Sequence, residues 1–160
     1  MKRVNSILNH DLFNKCLAEI TRWELERQFC HHDLPHFLDV ARIGMILSEK
    51  EALPLPQEWI YAAALLHDIG RHRQYESSMP HEQASAGIAA MILPDCGFDD
   101  KETDVIIYAI SHHRDKAMVH EKNLSGILYR ADKMSRACYA CGVVTQCNAK
   151  RQEKEQGLIL

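Results

Sequence analysis

Apolar residues recur along this chain at helical rather than alternating spacing, and the breaks between them divide it into a series of helices. Leu12, Phe13, Cys16, Leu17, Ile20 and Trp23 share one face over residues 10–29, with charged residues opposite. That pattern predicts an amphipathic helix covering the rest of the domain. Asp33 is placed to cap a second helix, with Pro35 in its first turn, and the periodicity continues to about Lys50. Pro54 and Pro56 mark a turn, after which Trp59-Ile60-Tyr61-Ala62-Ala63-Ala64-Leu65-Leu66 forms a helical run fit for a core. Residues 72–80, rich in Ser, Arg and His, read as a loop leading to a helix from about His81 to Leu93. Pro94, Gly97 and Asp99-Asp100 punctuate again, and helices near 101–113 and 122–140 complete the series. No stretch alternates with period two for long enough to demand a strand. The expected fold is all-α, a single-domain helical bundle over residues 1–160. Its core spans about 30–140, with an N-terminal covering helix and a polar C-terminal tail around Lys150–Glu155.

The apolar run of residues 59–66 ends abruptly in His67-Asp68-Ile69-Gly70-Arg71. An imidazole beside a carboxylate at the end of a core segment is unfavourable unless something binds both, and a metal ion is the natural partner. A divalent ion held by nitrogen and oxygen wants donors from separate elements, with positions left open for water and substrate. The chain supplies them: His36 upstream and Asp132 downstream, both in segments of helical spacing, with His81 and the pair His112-His113 between. Mixed imidazole and carboxylate donors with no necessary thiolate suit manganese, iron, zinc, nickel or cobalt.

Read in order, His36, His67-Asp68, His81, His112-His113 and Asp132 resemble the HD-domain superfamily of metal-dependent phosphohydrolases over roughly residues 30–140. The resemblance implies that His36, His67, Asp68 and Asp132 bind one metal. As in the dinuclear branch of that family, it implies that His81, His112 and His113 serve a second, with Asp68 bridging. One or two divalent transition metal ions are therefore the implied cofactors, and water activated by them would attack phosphorus. Arg71 resembles a basic residue that follows the His-Asp-x-Gly motif in several branches and is the leading candidate for a phosphate clamp. With Asp68 and Lys133 it makes up the expected catalytic set. Arg73 and Arg114 come next, and solvated surface charge is the alternative reading for all four cations. His10, His72 and His120 carry no assignment, and His31 and His32 read as loop residues before the Asp33 cap.

The substrate class implied is a small phosphate ester or anhydride, a nucleotide or dinucleoside polyphosphate. The chain lacks the Gly-Tyr-Pro signature of cyclic-dinucleotide phosphodiesterases, and Ile69-Gly70-Arg71-His72 lacks the acidic pair of guanosine tetraphosphate hydrolases. It is similar in size and in Ala131-Asp132-Lys133 to symmetrical diadenosine-tetraphosphate hydrolases, although His112-His113-Arg114 departs from their sequence there. Two further readings share the ligand set: an HD-type di-iron oxygenase, and a non-catalytic nucleotide- or metal-binding sensor.

Composition narrows the partners. A net charge of −3 argues against broad binding to duplex nucleic acid or to membranes, so local cations must handle a polyanionic ligand. With no secretory pattern and no apolar run of membrane-spanning length, the expected location is the cytoplasm and an oligomer is allowed. Of six cysteines, Cys138, Cys141 and Cys147 are closely spaced. They read either as reduced, partly buried thiols or as ligands for zinc or an iron–sulfur cluster, with a fourth from Cys30 or a second chain.

Overall fold

The structure is a computed structural model and describes residues 1–147. Eight α-helices follow one another among these residues: α1 (Lys2–Leu8), α2 (Asp11–Trp23), α3 (Leu34–Lys50), α4 (Gln57–Leu66), α5 (Arg71–Ser77), α6 (His81–Asp95), α7 (Asp100–Ser111) and α8 (Leu124–Met134). Short 3-10 turns occupy Lys116–His120 and Cys138–Ala140, and no described residue is in a strand.

Helix α4 is central and packs against α1, α3, α6, α7 and α8. Ile60, Ala62, Ala63, Ala64, Leu65 and Leu66 are all buried, as expected of a helix that is apolar on every side. Its alanines let neighbours come close. Gly44 on α3 shows how close, since a Cβ there would lie 2.9 Å from Ile60 Cγ2. The result is one hydrophobic core to which the N-terminal helices contribute Val4, Ile7, Phe13, Cys16 and Ile20.

Local chemistry explains the boundaries that match expectation. The Asp33 side chain accepts from the His36 amide with Pro35 in the first turn of α3, and Asp99 and Glu102 form a reciprocal capping box on α7.

Four features differ. The covering helix stops at Trp23 instead of 29, because the Glu24 side chain turns inward and accepts from the His32 amide and from Tyr75 Oη. A further helix, α1, precedes it, pinned by Arg3 Nε to Glu58 Oε2 and by Arg3 Nη1 to Glu102 Oε2, both at 2.6 Å. The expected loop 72–80 is largely helical: α5 packs on α2 and α6 and ends where Ser78 turns left-handed at φ 61°. The last helix ends at Met134, well short of residue 140. The polar tail at Lys150–Glu155 lies outside the described residues.

Candidate metal centre

Two helix ends and two helix starts meet over the C-terminus of α4. His67 and Asp68 follow directly on that helix, His113 follows the end of α7, and His36 and His81 sit in the first turns of α3 and α6. Asp132 comes from the last turns of α8. His67, Asp68, His81, His113 and Asp132 are buried, and His36 is nearly so.

These six residues fall into two groups, each with its donor atoms within 4.8 Å of one another. One is His36, His67 and Asp132, and the other is Asp68, His81 and His113. Asp68 faces both. Its Oδ2 lies 3.4 Å from His67 Nε2, while its Oδ1 lies 3.0 Å from His81 Nε2 and 3.7 Å from His113 Nε2. On the other side, Asp132 Oδ1 is 3.7 Å from His36 Nε2 and 3.8 Å from His67 Nε2.

The imidazoles are aimed by their second nitrogens. His67 Nδ1 donates to the Ala64 carbonyl at 2.7 Å, and His113 Nδ1 to the Ile110 carbonyl at 2.6 Å. In each case a carbonyl three residues back at a helix end fixes the proton on Nδ1 and leaves the Nε2 lone pair facing the centre. Gln74 Oε1 lies 2.6 Å from His81 Nδ1 and does the same for that ring.

Burial holds His36 and His113 down at about 4, so both are neutral donors at physiological pH. Burial works against protonation of His67 too, but the Asp68 and Asp132 carboxylates outweigh it and raise its proton affinity. Burial likewise opposes ionisation of Asp68, yet the His67 and His32 imidazoles keep its carboxyl well below the usual range. For Asp132 the cations Lys133 and Arg136 overcome burial in the same direction.

The donor set fits a divalent transition metal. His36 Nε2, His67 Nε2 and Asp68 Oδ1 are buried polar atoms with no hydrogen-bond partner, and three such atoms gathered in one cluster call for a bound ion or water to satisfy them. Three nitrogens or carboxylate oxygens on each side, none of them thiolate, match the hard-to-borderline ions expected.

His112 does not join them. Its Nδ1 faces the Tyr108 carbonyl at 2.9 Å and its ring stacks on Tyr108 with centroids 4.1 Å apart. Consecutive side chains at a helix end diverge by about a quarter turn or more, so only one of the pair can enter the cleft. His113 is that one. Arg73 also lies outside, exposed and 3.4 Å from Glu76 Oε2.

Arg71, Arg114 and Lys133 line the cleft, joined by Lys116 and Arg136, which sequence reasoning passed over. Arg71 Nη1 approaches the His81 ring and sits 3.9 Å from Asp68 Oδ1, and Lys133 Nζ is 2.7 Å from Asp132 Oδ2. His32, read from sequence as a loop residue, is in the loop but buried, with Nε2 3.7 Å from Asp68 Oδ2. Its Nδ1 is oriented by Glu24, which Tyr75 also holds. Burial disfavours ionisation of Glu24, but the His32 hydrogen bond leads the effects that bring its carboxyl to about 2. Nothing local to residues 24 or 32 signals this pairing, which exists only once α2 ends where it does.

The family model for the HD domain matches residues 34–137. The chain belongs to the HD-domain family. That family is one of metal-dependent hydrolases, in keeping with the His/Asp clusters. Among relatives, an uncharacterized protein of Clostridium beijerinckii is 40% identical over 154 residues, 96% of each chain. A bifunctional uridylyltransferase/uridylyl-removing enzyme of Gluconobacter oxydans is 39% identical over 54 residues, 34% of this chain and 5% of that much longer protein. Among solved structures, a predicted HD superfamily hydrolase from an uncultured Thermotogales bacterium superposes with a TM-score of 0.61 at 24% identity. The match covers 78% of this chain and 66% of that one, and supports the fold. No helix among the described residues is long and apolar enough to cross a membrane.

Proposed function

We propose that the protein is a phosphohydrolase that cleaves a small phosphate ester or anhydride, a nucleotide or dinucleoside polyphosphate, at a two-ion centre. The observation that carries this reading is the charge of the cleft. A chain of net charge −3 gathers Arg71, Arg114, Lys116, Lys133 and Arg136 around one cavity of about 250 Å³ beside the donor cluster. Such a concentration of cations suits a polyanion, and phosphoryl transfer gains most from positioning and charge neutralisation.

His36, His67 and Asp132 would hold one ion, and Asp68, His81 and His113 the other, with an Asp68 oxygen turned to each. Bound there, divalent ions supply charge to a phosphate oxygen and lower the pKa of water to give a nucleophile near neutral pH. The protein's own groups do the rest. Backbone carbonyls keep the imidazole protons of His67 and His113 away from the cleft. Lys133 neutralises the outer oxygen of Asp132, and Arg114, Lys116 and Arg136 face the space where phosphate oxygens would lie. Arg71 reaches the same space from beside Asp68. A second cavity of about 550 Å³ shares His32, Arg71, Arg114, Asp132 and Arg136 with the first and adds Phe29. That space, with an aromatic ring at its edge, supports a nucleoside beyond the phosphates.

The test is phosphate release from a panel of nucleotides and dinucleoside polyphosphates with manganese or iron, comparing the protein with Asp68→Ala. Release that disappears in the variant is the expected result. Turnover that survives the substitution, or silence across the panel from a protein shown to hold metal, would refute the proposal.

A further inference from the structure

The six cysteines divide into two sets. Cys16 and Cys96 are buried in the core, where burial raises their thiol pKa values as it does for any inert core thiol. The other four come from two distant parts of the chain and gather at one edge of the cleft. Cys30, in the loop before α3, lines one cavity of about 460 Å³ together with Cys138 and Cys141, and lines the neighbouring cavity together with Cys147. Burial raises the Cys138 thiol, and the nearby thiols of Cys30, Cys147 and Cys141 push it up further.

From this convergence we infer that Cys30, Cys138, Cys141 and Cys147 form a single four-thiolate site for a soft metal centre, separate from the His/Asp centre. Four thiols brought together would repel one another as thiolates unless a cation neutralises them. The backbone is arranged for ligation. Cys138 opens a 3-10 turn that Cys141 closes, the Cys141 amide donating to the Cys138 carbonyl at 3.3 Å, so the two cysteines stand one turn apart. Arg27 Nε donates to the Cys30 carbonyl at 2.8 Å and holds that loop, and the Arg136 guanidinium favours the Cys138 thiolate. Cys-x2-Cys with further cysteines is the ligand pattern of zinc and iron–sulfur sites alike. Among the described residues no three of these thiols lie within 4.8 Å of one another, whereas four sulfurs around one zinc would stand about 3.8 Å apart. The wider arrangement suits an iron–sulfur cluster. The centre would staple the segment after α8 to the loop before α3, joining the two elements that carry Asp132 and His36 across the mouth of the cleft.

The experiment uses the full-length protein, purified and reconstituted anaerobically with iron and sulfide, and reads acid-labile sulfide, bound iron and zinc, and metal-edge X-ray absorption. The expected result is sulfide-containing iron with a sulfur coordination shell. It should persist in Cys96→Ala and in Asp68→Ala, and be lost in each of Cys30→Ser, Cys138→Ser, Cys141→Ser and Cys147→Ser. Zinc with four sulfurs near about 2.3 Å, lost in the same four variants, would uphold the four-thiolate site and overturn the choice of a cluster over zinc. A protein with neither acid-labile sulfide nor a sulfur-ligated metal would overturn the inference. So would a sulfur-ligated metal indifferent to the four substitutions. Because none of these readouts is turnover, the outcome is independent of the hydrolase proposal.

Discussion

Replacing Gly70 with alanine tests how the second group of donors is positioned. A Cβ at this residue would lie 2.4 Å from the Ser85 amide nitrogen, 2.6 Å from the Ala84 carbonyl carbon and 2.7 Å from Ala84 Cβ. These atoms belong to α6 and cannot rotate aside, so an ordinary contact of at least 3.4 Å requires α6 and the chain at Gly70 to part by about 1 Å. Over-packing of that kind costs about 1–3 kcal/mol. Stretching the 2.9 Å bond from the Gly70 amide to the buried Ser85 Oγ adds roughly 1 kcal/mol more. The expected destabilisation is about 2–4 kcal/mol, within what a folded domain of this size tolerates. His81 opens α6, so the same displacement moves a donor by more than the roughly 0.2 Å a coordination distance allows. The control is Gly87→Ala on the same helix. A Cβ there meets nothing within 4 Å, so the substitution should stabilise by up to about 1 kcal/mol through helix propensity alone. Urea denaturation of the metal-free proteins and metal stoichiometry by mass spectrometry read both effects. Equal stability for the two variants, with full metal content in Gly70→Ala, would refute the reasoning.

The remaining predictions follow from the same geometry. His113→Ala should lose an ion from the centre, while His112→Ala keeps full metal content and costs about 1 kcal/mol for its bond to the Tyr108 carbonyl, as metal analysis and chemical denaturation will show. For the metal-free protein, His36 and His113 are held at about 4 in the folded state against an ordinary value of about 6.5, so the unfolded chain binds more protons between those limits. Their contribution is intact above about pH 6.5 and falls by about 1.4 kcal/mol per pH unit per histidine as pH drops toward 4. His67, with its raised affinity, works in the opposite sense, and denaturation midpoints that rise on acidification through this window would contradict the assignment. Arg114→Ala and Lys116→Ala should each lower kcat/KM for a phosphorylated substrate about tenfold, mainly through KM, and loss of kcat alone would contradict a role in binding phosphate.

What was legible in the chain was local chemistry. The run into His67-Asp68 stood out because two polar ligands ended a segment that had no other polar purpose, and α3 could be placed because Asp33 and Pro35 announce its start. The choice between His112 and His113 was not legible, since it depends on the last turn of α7, and one residue of register swings a side chain from cleft to surface. Helix α5 has few apolar residues and owes its existence to packing against α2 and α6. His32 became part of the site through Glu24, a carboxylate on another element, and Lys116 and Arg136 reached the cleft only through tertiary structure. Propensity and periodicity carry no information about such convergence.

Asp68 divides its two oxygens between two sets of imidazoles. One carboxylate therefore faces both groups of donors, and two ions bound there, as proposed, would be thermodynamically linked. An ion held on the Oδ2 side would withdraw charge from Oδ1, and it would also fix the orientation in which Oδ1 is presented. Whatever the first ion does to the affinity for the second, the second must do to the first by the same factor. Metal uptake by this protein should then depart from two independent saturation curves, with the departure originating in a single side chain.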